Sequence, residues 1–332
     1  HYLCKCICGN EKEVFVGNLL NGDIKSCGCK SHEMRINTNL DKYGSETVSV
    51  AESKGEIEVK EYIESLGLET TKKSIDGVGG FKKFELDIVI PSKNIAIEYN
   101  GAKWHSEDRG GKWYHFYKKE AAKNVGYRLI QIFDFEWHTK ERQIKSFLRS
   151  ALGMNEVHIG ARELDIRKCI FSEVSPFLKE THILGTKCGI LYLGAFYKDE
   201  LVTCAVFGKH HITNEGLVLS RWCVKENYTL SGALSKISKI ALQETKESSI
   251  ISWADLRFSE GKGYLSAGWT IDAVLEPDYF YYEPNKKKVI YKNQRRKSKA
   301  HTPEGMTESH HAKLDKLLTI WDCGKLRLVF KG

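Results

Sequence analysis

The chain has 332 residues, 41% of them apolar and only five of them proline, which excludes a disordered or low-complexity protein and leaves room for two or three folded domains. Its net charge is +8, from 51 Lys and Arg against 43 Asp and Glu, which suits nucleic acid but is weak support alone. No apolar run reaches the ~18 residues of a membrane helix, and no signal-peptide pattern opens the chain, so a cytoplasmic protein without membrane partners is expected.

Five of the ten cysteines fall within the first 29 residues. Cys4-Lys5-Cys6-Ile7-Cys8-Gly9 is answered by Cys27-Gly28-Cys29. Four thiolates on two tight turns suit tetrahedral Zn²⁺, and some thirty residues are too few for an apolar core, so metal would supply the folding energy. The expected ligands are Cys6, Cys8, Cys27 and Cys29, with Cys4 as the spare or as a replacement for Cys6. Disulfides and free thiols are the other readings. The remaining cysteines are scattered through apolar segments as small hydrophobes do, which suits a reducing compartment. Residues 1–32 form the expected zinc module, and the polar stretch 33–52 reads as a linker.

Ser53 and Glu56 have capping-box spacing at the start of a helix running to Gly67. Two strands come next, Phe84–Ile90 and Ile95–Asn100. If Ser92-Lys93 closes a two-residue hairpin, residues whose numbers sum to 185 face each other, so Asp87 opposes Glu98. Alternation then sends Phe84, Leu86, Ile88, Ile90, Ile95, Ile97 and Tyr99 to the other, apolar face. Facing carboxylates repel, and a divalent cation such as Mg²⁺ between them would remove the conflict. An ordinary solvated polar face is the plainer alternative. Trp113–Val125 reads as a helix carrying His115 and Lys119 on one face, and Tyr127–Phe133 as a buried strand parallel to the second hairpin strand.

Leu86-Asp87-Ile88, Ile97-Glu98-Tyr99-Asn100-Gly101 … Trp104-His105 and Tyr127-Arg128-Leu129-Ile130 resemble the very-short-patch-repair branch of the PD-(D/E)XK nucleases, and within it the phage and intron homing endonucleases. The likeness runs from about Ser53 to Trp137 and implies a nuclease domain over 53–153. It departs at Asn100, where the family usually has lysine; relatives often recruit histidine instead. The resemblance implies Mg²⁺ on Asp87 and Glu98, His105 as the proton-transfer residue, and His115 or Lys119 orienting water or meeting phosphate. It also gives Glu56 a place at the edge of the metal site. The first 29 residues resemble small zinc modules appended to such nucleases, and the implied setting is a phage-infected or bacterial cell, at the nucleoid.

From about residue 160 the pattern changes. Gly189–Phe196 and Leu201–Phe207 read as a hairpin, Leu217–Val224 as a strand, Ser231–Glu244 as a helix and Ile250–Asp255 as a buried strand. Ala254-Asp255-Leu256-Arg257-Phe258 … Gly263-Tyr264 … Gly268-Trp269 resembles the last part of the GNAT acyltransferase fold. Thr229 precedes Gly232 where that family's coenzyme loop has Gln or Arg, so acetyl transfer is doubtful on sequence and a platform for reading DNA is preferred. Between residues 286 and 299 lie eight basic and no acidic residues. Lys287, Lys288, Lys292, Arg295, Arg296, Lys297 and Lys299 are the candidate DNA contacts; the plain alternative is a solvated face.

The expectation is therefore an α/β (α+β) multidomain protein with a zinc module, a PD-(D/E)XK-like core on a mixed sheet and a GNAT-like domain over 160–332. Its expected activity is site-specific, Mg²⁺-dependent cleavage or nicking of double-stranded DNA, of homing type, and a homodimer is compatible. A repair or phage-defence nuclease is one alternative; a DNA- or nucleotide-modifying acyltransferase with an accessory nuclease domain is the other.

Overall fold

The computed structural model describes residues 1–22, 24–43, 52–102, 104, 106–210, 216–295 and 300–332. It divides into two units, His1–Glu58 and Val59–Gly332. Among the described residues no helix is long and apolar enough to cross a membrane.

In the first unit β1 (Tyr2–Lys5) and β2 (Glu11–Val14) pair antiparallel, with Lys5 opposite Glu11. Then come α1 (Val16–Leu20), α2 (Cys29–Tyr43) and the start of α3 (Lys54–Ser65). Of the described apolar side chains up to residue 43, Val14 alone is fully buried, while Ile7 is 99% exposed. Among the described residues no apolar core holds this segment. The stretch expected as a linker from residue 33 is helical as far as Tyr43. Polarity had argued for a loop, but a solvated helix needs no apolar stripe.

The second unit opens with β3 (Thr71–Asp76), β4 (Lys83–Ile90), β5 (Ile95–Asn100), α4 (Glu107–Gly110), α5 (Tyr114–Asn124), β6 (Arg128–Phe133) and α6 (Asp134–Ala151). The sheet order is β3-β4-β5-β6, with β5 and β6 parallel. The β4–β5 register keeps the sum of 185, as in Ile88↔Ile97 and Ile90↔Ile95. The loop is longer than expected: a 3₁₀ turn over Pro91–Lys93 is closed by Asn94 at φ 52°.

The expected single apolar face is corrected. Thr71 pairs Val89 but Lys73 pairs Leu86, so Asp87 and Ile88 together stand opposite one residue of β3. Such a bulge reverses the alternation. Phe84 and Leu86 join Val89, Ala96, Ala121 and Ala122 under α5. Ile88, Ile90, Ile95 and Ile97 pack on the other side with Val59 and Ile63 of α3 and Trp137, Ile144 and Leu148 of α6.

The rest comprises β7 (Val157–Gly160), β8 (Asp165–Cys169), α7 (Phe171–Thr181), β9 (Leu191–Tyr197), β10 (Glu200–Lys209), β11 (Leu217–Val224), β12 (Tyr228–Ser231), α8 (Ala233–Thr245), β13 (Ser249–Asp255), α9 (Lys262–Ser266) and β14 (Thr270–Leu275). After these come β15 (Tyr279–Glu283), β16 (Lys288–Tyr291), α10 (Glu308–Leu314), β17 (Leu318–Trp321) and β18 (Lys325–Lys331). A seven-stranded sheet runs β14-β18-β13-β11-β10-β9-β8. The hairpin β9–β10 turns through Lys198 and Asp199, both at positive φ, the backbone a two-residue turn requires. Phe207, Leu219 and Trp269 pack with Ala233, Ile237 and Ala241 of α8 in its core. β16, β15 and β17 make a separate small sheet. The two large sheets meet at β6, where Gln131 N–H donates to the Arg257 carbonyl at 3.0 Å. Buried Arg257 is held there between Glu136 (3.0 Å) and Asp255 (2.9 Å).

Candidate functional site

Asp87 and Glu98 lie one step beyond the last β4–β5 ladder pair. There the Asp87 carboxylate accepts the Tyr99 N–H at 3.2 Å. Glu98 is buried, and Lys118 of α5, also buried, donates its ammonium to Glu98 Oε1. Burial, then the Glu98 charge, pushes the Asp87 carboxyl up to about 8. Burial works against the Lys118 ammonium, but the charges of Glu98 and Asp87 keep it above its ordinary range.

The conflict between facing carboxylates is answered by the Lys118 ammonium and by a proton on Asp87. The sequence pattern points to Lys119 instead. Successive helical residues point ~100° apart, so only one of the two lysines can face the sheet. The available signal was the stripe Tyr114, Lys118, Ala121, Ala122, whose alanines are buried under β4 and β5.

The other expected partners are placed differently. His115 is 1% exposed, and its Nδ1 lies 2.7 Å from Gln131 Oε1. Gln131 Nε2 in turn donates to the His115 carbonyl at 2.8 Å and to Cys323 Sγ at 3.1 Å. His105 lies outside the described residues. Glu56 belongs to the first unit, where its N–H donates to Ser53 Oγ at 3.2 Å and its side chain is buried.

The cysteines form the tighter cluster. The sulfurs of Cys6, Cys8, Cys27 and Cys29 all lie within 4.8 Å of one another, with Cys6 to Cys29 at 3.7 Å and Cys8 to Cys27 at 3.3 Å. Four thiolates at about 2.3 Å from one tetrahedral ion stand about 3.8 Å apart, so the four could hold zinc. Cys4 is not in the group; its Sγ faces the Tyr2 carbonyl at 3.5 Å. The N–H groups of Cys8 and Cys27 bring the Cys6 thiol down to about 6, while the Cys6 and Cys8 sulfurs push Cys29 up to about 12. Lys5, Lys12 and Lys25 line the same small cavity as Cys6 and Cys27.

The basic stretch is partly neutralised. Lys292 meets Asp278 at 3.1 Å and lies over the Tyr279 ring, and Arg295 pairs with Asp315. Lys287 and Lys288 are exposed. Arg296, Lys297 and Lys299 lie outside the described residues.

The seven-stranded sheet has a parting. Among the described residues β11 and β13 are its one parallel pair, joined at Leu217↔Ile250 and Val218↔Ile251, although both strands continue. Just beyond, Ser252 Oγ donates to the Leu219 carbonyl at 3.1 Å and lies 3.3 Å from the Tyr264 hydroxyl. Burial raises the Tyr264 phenol above its ordinary range, so it is protonated at neutral pH. Nearby in sequence, α8 starts at Gly232 (φ 78°) without a side-chain cap.

No family model matches the chain, nor does any curated protein. Similar solved structures include a GNAT family acetyltransferase from Elizabethkingia anophelis with acetyl-CoA bound, 14% identical, covering 51% of this chain and 99% of that one, at a TM-score of 0.30. An acetyltransferase from Bacillus subtilis in complex with CoA gives 14%, 51%, 99% and 0.29. An IAA acetyltransferase from Bacillus cereus gives 12%, 51%, 99% and 0.28. These are transferases rather than DNA hydrolases, and on that finding the homing endonuclease expected from the sequence is corrected, with its hydrolase chemistry. Likenesses this distant lend no activity to the chain.

Proposed function

We propose that the C-terminal part, GNAT-like in fold, transfers an acyl group from a coenzyme A thioester to an amine of a nucleotide or of DNA. The observation that supports this is the parting of β11 from β13 after two residue pairs, with a protonated phenol, Tyr264, beside it. An extended thioester arm fits against the unpaired backbone of two such strands. In the reaction the amine nitrogen attacks the thioester carbonyl, the new C–N bond replaces the C–S bond, Tyr264 protonates the departing thiolate, and the ammonium proton passes to water. Thr229 offers no charge to a diphosphate, so the uncapped start of α8 would have to do that work through backbone N–H groups.

The remaining modules are proposed to hold the acceptor. The order α3-β3-β4-β5-α5-β6 supports a PD-(D/E)XK-like fold for the four-stranded unit, here as a support for duplex DNA. Zn²⁺ on Cys6, Cys8, Cys27 and Cys29 would order the first unit, and Lys287 and Lys288 are free to meet phosphates. Incubation with acetyl-CoA and either nucleosides or duplex DNA, followed by thiol titration and mass spectrometry of the acceptor, tests the reading. Release of coenzyme A with an added acetyl group on the acceptor supports it. No thiol release with any acceptor sinks it.

A further inference from the structure

A cavity of about 1070 Å³ shares no lining residue with the carboxylate cluster or with Ser252 and Tyr264. It lies between α5 and β6 on one side and α9 and β14 on the other, and this placement makes it independent of the acyl-transfer reading.

Its charge is one-sided. Lys93, Lys119, Lys123, Arg128 and Lys262 line it against two carboxylates, Glu120 and Glu260. Lys262 is paired with Glu260 at 3.3 Å. Lys119 is different: it is 5% exposed, and its ammonium has no hydrogen-bond or ion-pair partner among the described residues. Arg128 gives an N–H to the Phe258 carbonyl at 2.5 Å and has no carboxylate partner there. Burial lowers the pKa of both groups, which is the mark of cations taken from water without full compensation. An anion entering the cavity would supply what the protein does not.

The walls narrow the choice of anion. Phe116 and Tyr127 line one side. Opposite them Leu265, Ile271 and Val274 are 43%, 45% and 63% exposed, an apolar surface left in water. Two cations, one a planar guanidinium and one a point charge, suit a phosphate better than a carboxylate, because a phosphate carries nearly two charges and three acceptor oxygens. A duplex backbone meets exposed side chains, whereas Lys119 sits inside the cavity. We infer that this cavity binds a small organophosphate of the nucleotide class, with its phosphate on Lys119 and Arg128 and its ring on Phe116 and Tyr127.

The test is calorimetric titration of the full chain with ADP, adenosine and inorganic pyrophosphate at low salt. ADP should bind at least tenfold more tightly than adenosine, and pyrophosphate should displace it. Lys119→Met and Arg128→Met should each weaken ADP binding at least tenfold, with circular dichroism confirming that the variants are folded. Tyr264→Phe should leave ADP binding unchanged. No ADP binding at millimolar concentration, or wild-type binding by both cation variants, would overturn the inference. So would displacement of ADP by acetyl-CoA with no dependence on Lys119, since the phosphate site would then be the coenzyme's own.

Discussion

The cysteine cluster of the first unit and the carboxylate cluster of the second both gather groups that repel when ionised, yet they resolve the conflict differently. Glu98 is paired with the Lys118 ammonium and Asp87 carries a proton, so the fold itself neutralises them. The four cysteines have no lysine or arginine among the groups that shift their thiols, and Val14 is the one fully buried apolar side chain described near them. Facing like charges alone therefore do not announce a metal. The question is whether the chain supplies its own counter-charge. That distinction separates the cysteine cluster, which could hold an ion, from the carboxylate pair, which has the Lys118 ammonium beside it.

The largest expected effect attacks the cysteine side. Cys27→Ser should abolish binding of about one equivalent of zinc and unfold the β1–β2 hairpin, because metal binding in such modules supplies about 10–16 kcal/mol of folding energy. Elemental analysis and amide exchange read this directly. A hairpin equally protected in metal-free wild type would show that the cluster does not depend on an ion. Next in size is Lys118→Met, which strands the two carboxylates and should destabilise the second unit by about 3–5 kcal/mol. Adding Glu98→Gln should recover a large part of that loss in urea denaturation. Additive losses would mean that Lys118 is not the counter-charge.

A pH series isolates the carboxylate side. The folded carboxyl of Asp87, at about 8, lies above its ordinary 3.8, so the stability it contributes is fully present below about pH 4 and is lost as pH rises toward 8. Asp87→Asn should flatten that fall, making the variant relatively more stable at pH 8 than at pH 5. A slope unchanged by the substitution would remove Asp87 as its source. The smallest effect concerns Lys119, buried without a partner among the described residues. Its folded pKa is lowered, so its penalty is present at neutral pH and fades as pH approaches the ordinary 10.5. Lys119→Met should stabilise the ligand-free protein slightly at neutral pH, because it removes a buried cation whose folded pKa burial lowers. Destabilisation instead would point to a partner for the ammonium.

Much of this arrangement is legible in the chain. The register opposing Asp87 and Glu98 comes from centring the hairpin on Ser92-Lys93, and the elements from Leu191 to Asp255 come from apolar runs with a turn between them. The β4 bulge does not, since nothing in Asp87-Ile88 marks which residue is extra; only pairing with β3 decides it. Lys118 escapes because a buried lysine looks like a solvated one until its counter-charge is known. The β15–β16–β17 sheet hides among charged residues, several of which turn out to be paired with Asp278, Asp315 or Glu283. The parting of β11 and β13 is tertiary altogether. Two parallel strands of ordinary composition carry no sign of where they separate.

Acyl transfer at Tyr264 is tested most directly by calorimetric titration of the intact protein with acetyl-CoA, repeated on Tyr264→Phe. Saturable binding is expected in both, with release of coenzyme A to an acceptor amine slowed at least a hundredfold in the variant. Absence of acetyl-CoA binding, together with magnesium-stimulated breakage of duplex DNA, would refute the transferase reading.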